Sequence, residues 1–180
     1  TDPSSVEKYL GVIFDAVKRE LRLSEARLEK GLAKLKSAAG RDHIEGIEEL
    51  RSAIAEKENS KGLSIGADNV FVTNGVSEGL DMVISSIVEE GDEVLLPGPY
   101  YPPYASYIRL HGGIPVEFAV DLENSTPDID DIKSKITAKT VAICLISPNN
   151  PTGAVFEENS LKKLIDLANE HNLYIICDEI

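Results

Sequence analysis

A chain of 180 residues, 42% hydrophobic and 27% charged, has the composition of an ordinary globular protein with enough apolar side chains for a core. Its formal net charge of -13 opposes binding to nucleic acid or to an anionic membrane surface, and no apolar run approaches the roughly 18 residues of a membrane helix. Cys144 and Cys177 lie in apolar runs, outside any CxxC or Cys/His metal pattern, and no signal segment opens the chain, so both are expected to be reduced, buried thiols of a cytoplasmic protein without a metal.

The first 45 residues read as a helical segment. Val6, Leu10, Ile13, Phe14, Val17 and Leu21 recur at helical spacing behind a capping box of Ser4 and Glu7. Leu28, Leu32 and Leu35 continue a second stripe, and Gly40 marks a stop. A third helix is predicted over residues 47–58, with Leu50 and Ile54 facing inward. Beyond residue 68 the pattern changes to short β-rich runs alternating with helical ones. Strands are predicted at 70–72, 93–96, 114–120, 140–147 and 173–177, and helices at 76–89, 102–110, 128–136 and 160–170, with Thr126 and Pro127 at the start of the third. Such alternation predicts an α/β fold, a three-layer α-β-α arrangement around a mostly parallel sheet. The apolar run 141–146 suits a central strand buried on both sides. The opening Thr1 and the finish on Cys177-Asp178-Glu179-Ile180, straight after a strand-like run, suggest a piece of a longer chain.

In open α/β sheets ligands bind beyond the carboxyl ends of the strands. Thr73-Asn74-Gly75-Val76-Ser77 occupies such a place, between a strand and a helix. It reads either as a tight turn eased by Gly75, with Ser77 helping the helix to start, or as an anion site built from the N–H groups of Val76 and Ser77 and the Ser77 hydroxyl. Ser147-Pro148-Asn149-Asn150-Pro151-Thr152-Gly153 follows the central strand. It is either a plain turn or a proline-stiffened loop that offers an Asn N–H to a ligand oxygen. Asp178, after the last strand, is either a solvated loop carboxylate or a carboxylate at the mouth of a buried strand, where a cation such as a protonated ring nitrogen would pair with it. Tyr100 and Tyr101, between Pro99 and Pro102, either pack in the interior or stack on a planar ligand. Taken together, the functional alternatives fit one ligand, pyridoxal phosphate.

These segments resemble class I/II aminotransferases of the pyridoxal-phosphate fold-type I superfamily, with wording most similar to the alanine-aminotransferase-like branch. The resemblance runs from about Gly46 to Ile180 through four motifs in order: the phosphate turn from Val72 to Leu80, Pro99-Tyr100-Tyr101-Pro102-Pro103-Tyr104, the Ser147-to-Gly153 loop, and Cys177-Asp178-Glu179-Ile180. It implies that residues 46–180 are the first part of a cofactor-binding large domain. It further implies that Gly75, Val76 and Ser77 take the cofactor phosphate, Tyr101 stacks on the pyridine ring and Asn150 donates to the phenolic oxygen. Asp178 would pair with the pyridinium nitrogen and keep the ring an electron sink. Catalysis would then rest on Asp178 and Tyr101.

In the family the Schiff-base lysine lies far beyond Asp178, in a Ser-x-x-Lys segment; Ser60-Lys61 and Ser134-Lys135 do not replace it. The chain by itself is therefore expected to be inactive. Residues 1–45 lack the family's Tyr-x-x-Ser-x-Gly run. The leading expectation is amino-group transfer between an amino acid and a 2-oxo acid, in a homodimeric parent. A C–S lyase, a decarboxylase or an ACC-synthase-like enzyme shares every motif. A regulator carrying an aminotransferase-like domain is the non-enzymatic alternative. Against it, Glu20, Glu25 and Glu29 interrupt the basic residues between Lys18 and Lys36.

Overall fold

A computed structural model describes residues 47–179 of the chain. The helical stripes and the capping box expected in residues 1–45 lie outside them. The first described helix, α1 (Ile47–Ser60), carries Glu48 and Glu49 in its first turn and Lys57 in its last, charges that complement the helix dipole. Leu50 and Ile54 are only half-buried; Ala55 and Glu58 are the buried positions. The reason is that α1 leans on the short 3₁₀ turn Ala67–Asn69 rather than on the sheet. Arg51 ties the two together, its Nε donating to the carbonyls of Ala67 and Val70, both at 3.0 Å. The strand predicted at 70–72 does not form. The Val70 carbonyl is taken by Arg51, and no strand among the described residues lies alongside to complete a ladder.

The remaining elements are α2 (Val76–Ile87), β1 (Glu93–Pro97), α3 (Pro103–Leu110), β2 (Ile114–Phe118), β3 (Val120–Asp121), β4 (Thr126–Pro127), α4 (Ile129–Lys135), β5 (Thr140–Ile146), α5 (Glu158–Glu170) and β6 (Tyr174–Asp178). Among the described residues, four strands form one parallel sheet in the order β2-β1-β5-β6. The predicted strand 114–120 is broken at Ala119, whose N–H is taken by the Asp131 carboxylate at 2.8 Å. Thr126 and Pro127 do not open a helix. They pair antiparallel with β3, and Asp128 caps α4 instead, accepting from the N–H groups of Asp130 and Asp131 at 3.0 Å. Asp178 belongs to β6, as the register partner of Ile146, rather than to a loop beyond it.

The order follows from the connections. From β1 the chain moves through α3 to β2 on one side; from β2 it crosses back over β1, through α4, to β5, and then through α5 to β6. Parallel crossovers share one hand, so connections running in opposite directions must lie on opposite faces. They do. Leu80, Ile84, Tyr104 and Ile108 of α2 and α3 pack with Val94, Leu96 and Cys144 on one face. Ile132, Leu164 and Leu167 of α4 and α5 pack with Leu95, Ile143 and Leu145 on the other. This alternation is the period-two side-chain pattern of strands buried on both sides, each fully buried aliphatic residue contributing about 1.5–3 kcal/mol. His111 fastens α3 to α2 through a 2.7 Å contact between its Nε2 and Asp81 Oδ1. No helix among the described residues is long and apolar enough to cross a membrane.

Candidate active site

Strands β1 and β5 are neighbours whose following connections depart in opposite directions, so a crevice opens at their carboxyl ends. A cleft of about 360 Å³ lies there. It is lined by the turn Asn74-Gly75-Val76-Ser77, by Tyr101 after β1, by Pro148 and Asn150 after β5, and by Ile146 and Asp178 at the strand ends. All six candidate residues named from the sequence therefore share one cavity.

The turn before α2 presents open N–H groups. Gly75 is the N-cap at φ 88°, a conformation that glycine adopts without the steric cost a side chain incurs, and among the described residues no side-chain cap bond is made there. Ser77 thus does not help the helix to start; it is exposed at the second helical position. The first bond within the helix is from Gly79 N–H to the Gly75 carbonyl, at 3.3 Å. The N–H groups of Val76 and Ser77 have no acceptor among the described residues. Unpaired donors at the positive end of a helix are the makings of an anion site.

Two adjacent asparagines after β5 have divided roles. Asn149 is buried and ties the loop to itself. Its N–H donates to the Ala154 carbonyl at 2.8 Å, its carbonyl accepts from Gly153 at 2.7 Å, and its Oδ1 accepts from the Thr152 hydroxyl at 2.9 Å. Asn150 is exposed to the cleft, and its side chain has no partner among the described residues. The neighbouring tyrosines divide in the same way. Tyr100 packs against the apolar core, whereas Tyr101 is 39% exposed and lines the cleft.

Asp178 is 6% exposed. The hydroxyl of Tyr104, on α3, donates to its Oδ2, and Oδ1 has no donor among the described residues. Leaving a carboxylate oxygen buried without a donor is costly, so this one suits a cationic or N–H-bearing ligand in the cleft. Burial raises the pKa of the Tyr104 phenol well above its ordinary value, and the hydrogen bond to Asp178 and that group's charge raise it further. Tyr104 is the site residue that sequence inspection did not single out. Its signal was its place in the Tyr101-Pro102-Pro103-Tyr104 run, one helical turn beyond Tyr101. Cys144 is buried as expected, and its thiol pKa is pushed up by burial first, then by Cys177 and Asp178. Cys177 is only half-buried.

Among the described residues, no lysine lines the cleft. Lys61 Nζ is bonded to Glu58 at 2.9 Å and Lys135 Nζ to Asp131 at 2.6 Å, both within their own local segments.

The chain matches the family described as aminotransferase class I and II over residues 7–180, a match that begins well before Gly46, where the resemblance read from the sequence starts. It is 43% identical over 152 residues to the glutamate-pyruvate aminotransferase AlaA of Haemophilus influenzae, covering 83% of this chain and 37% of that protein. It is 44% identical over 138 residues to a probable aspartate/prephenate aminotransferase of Aquifex aeolicus, covering 74% and 34%. The structure is similar to that of an alanine aminotransferase from Pyrococcus furiosus, with a TM-score of 0.72 and 36% identity, covering 98% of this chain and 47% of that one. The chain thus spans less than half the length of these relatives. It belongs to the class I and II aminotransferases, pyridoxal-phosphate enzymes of the fold-type I architecture.

Proposed function

We propose that residues 46–180 form the first part of the cofactor-binding domain of an aminotransferase that moves an amino group between an amino acid and a 2-oxo acid. The observation that carries this is the pairing, in one cleft, of a buried carboxylate at Asp178 with open N–H groups at Val76 and Ser77. A ligand that joins a phosphate to a basic ring nitrogen satisfies both ends. The donors and acceptors present fit pyridoxal phosphate. Val76 and Ser77 would hold the phosphate, Tyr101 would lie against the ring, Asn150 would donate to the phenolic oxygen, and Asp178 would hold a proton at the ring nitrogen. When bound, the cofactor supplies an electron-withdrawing ring that eases removal of the substrate's α-proton.

On this account the chain's own residues bind, orient and set charge. Asp178, itself 6% exposed, keeps its proton partner by electrostatics. Tyr104 holds the carboxylate in place. Asn149 fixes the loop so that the neighbouring Asn150 keeps one position. Relatives named for glutamate-pyruvate and aspartate/prephenate transfer support small dicarboxylic and 2-oxo acid substrates. We further propose that the lysine that binds the cofactor covalently lies outside this chain, that the parent acts in the cytoplasm and that it is a homodimer.

The test is equilibrium binding of pyridoxal phosphate to the chain, followed by absorbance, with borohydride reduction and peptide mapping. Reversible binding that Asp178→Ala weakens, with no stoichiometric adduct at a single lysine, is expected. A unique, stoichiometric lysine adduct that supports transamination would show that the covalent lysine lies within these residues.

A further inference from the structure

The turn that faces the phosphate position is held by a residue outside the cleft lining. Glu78 is the third residue of α2, where a capping-box glutamate would reach back to the N–H of the cap. Here the cap is Gly75, and the Glu78 carboxylate instead accepts from the N–H of Asn74, one residue earlier. On the other side of the turn the Thr73 hydroxyl donates to the Gly75 carbonyl at 3.0 Å. The two bonds clamp Thr73 to Glu78 around a glycine at φ 88° that would otherwise be free to rotate. The N–H groups of Val76 and Ser77 stay uncovered because the carboxylate is engaged with Asn74.

We propose that Glu78 is a positioning residue for the phosphate of the bound ligand: it fixes the Asn74-Gly75 turn so that the Val76 and Ser77 donors converge on one anion. The inference rests on the phosphate assignment above and deepens it. A purely structural glutamate, complementing the positive end of α2, would affect stability and bind all ligands alike. A positioning glutamate acts on the phosphate alone. Its work is done by an acceptor oxygen rather than by charge, which near a phosphate is repulsive.

The experiment compares the native chain with Glu78→Gln and Glu78→Ala, measuring equilibrium affinity for pyridoxal phosphate, for pyridoxal and for inorganic phosphate, with a thermal melt on each variant. Glu78→Ala is expected to weaken pyridoxal phosphate and inorganic phosphate about tenfold, the effect of one lost hydrogen bond, and to leave pyridoxal unchanged. Glu78→Gln, which keeps an acceptor, should bind as tightly as the native chain or more tightly. The inference is overturned if Glu78→Ala binds phosphate as well as the native chain, if pyridoxal weakens equally, or if Glu78→Gln is as impaired as Glu78→Ala. If Glu78→Ala fails to fold, Glu78→Gln and the Thr73→Val variant, which removes the other clamp, carry the same comparison. Native affinity for pyridoxal with no gain from its phosphate would overturn the phosphate assignment itself, and this inference with it.

Discussion

The phenol of Tyr104 donates a hydrogen bond to the carboxylate of Asp178 across 74 positions of sequence, joining the first turn of α3 to the last residue of β6. Tyr104 is 1% exposed and Asp178 6%, so the bond lies out of water. Tyr104→Phe leaves the volume unchanged and removes the only donor that the carboxylate has among the described residues. A loss of about 1.5–3 kcal/mol in unfolding free energy is expected by denaturant titration, the range for hydrogen bonds to charged groups. The same variant should weaken pyridoxal phosphate binding, because Asp178 is then free to leave the position in which we propose it meets the ring nitrogen.

Alkaline pH should destabilise the fold through Tyr104 and Cys144. Burial raises both pKa values above their ordinary 10.0 and 9.0. Below about pH 9 folded and unfolded chains both keep these protons, and the stability due to the buried neutral groups is fully present. As pH rises past 9 and then 10 the unfolded chain gives up protons that the folded one retains, so the unfolded state gains. Urea titrations should show unfolding free energy falling above pH 9, with a shallower fall in Tyr104→Phe. An unchanged slope in that variant would remove Tyr104 from the explanation.

The buried thiol should also be inert. Thiolate is the reactive form, and Cys144 is both inaccessible and held protonated. Mass mapping after alkylation at pH 8 should find Cys144 unmodified in the folded chain and modified in urea, with Cys177 reacting first. Native-state labelling of Cys144 would mean that the β1-β5 core opens far more readily than its packing implies.

Gly113 is fixed by its surroundings. A Cβ there would lie 2.5 Å from Val88 Cγ1 and 2.9 Å from Ile108 Cγ2, at the turn from α3 into β2. Gly113→Ala should cost about 1–3 kcal/mol by overpacking, read from a denaturant midpoint. The exposed Gly62, with nothing within 4 Å of its Cβ position, is the contrasting site. There Ala should be penalised only for its positive φ.

In an active protein containing this chain, Asp178→Ala should reduce kcat by the equivalent of roughly 3–4 kcal/mol, the range seen on removing a preorganised electrostatic group. KM should change less, because the ring charge matters most as the transition state develops. Asn150→Ala should be milder, at about 1.5–3 kcal/mol for one hydrogen bond to a charged oxygen. Equal, small effects would reduce Asp178 to a structural carboxylate.

Much of this architecture is visible in local sequence because local forces decide it. The helical stripes of α2, α3, α4 and α5 and the doubly buried β5 follow from spacing alone, and strand-end motifs fall together at the cleft because parallel strands put their carboxyl ends on one edge. What escaped depends on partners distant in sequence. The run 70–72 has strand-like residues but no neighbouring strand among those described. Ala119 breaks a strand because Asp131, twelve residues away, claims its N–H. Asn149 and Asn150 are chemically identical, and only the backbone of the loop decides which is buried. Tyr104 could not be linked to Asp178 before the fold set the first turn of α3 against the end of β6.

The central claim is that one cleft takes one ligand end to end, phosphate on the α2 terminus and ring nitrogen at Asp178. Amide and side-chain NMR shifts of the isotope-labelled chain during titration with pyridoxal phosphate test it most directly. The expected result is a set of shifts concentrated on Gly75, Val76, Ser77, Asn150 and Asp178, with inorganic phosphate reproducing only those of the turn. Shifts confined to surface residues away from this cleft, or none at saturating ligand, would contradict the account.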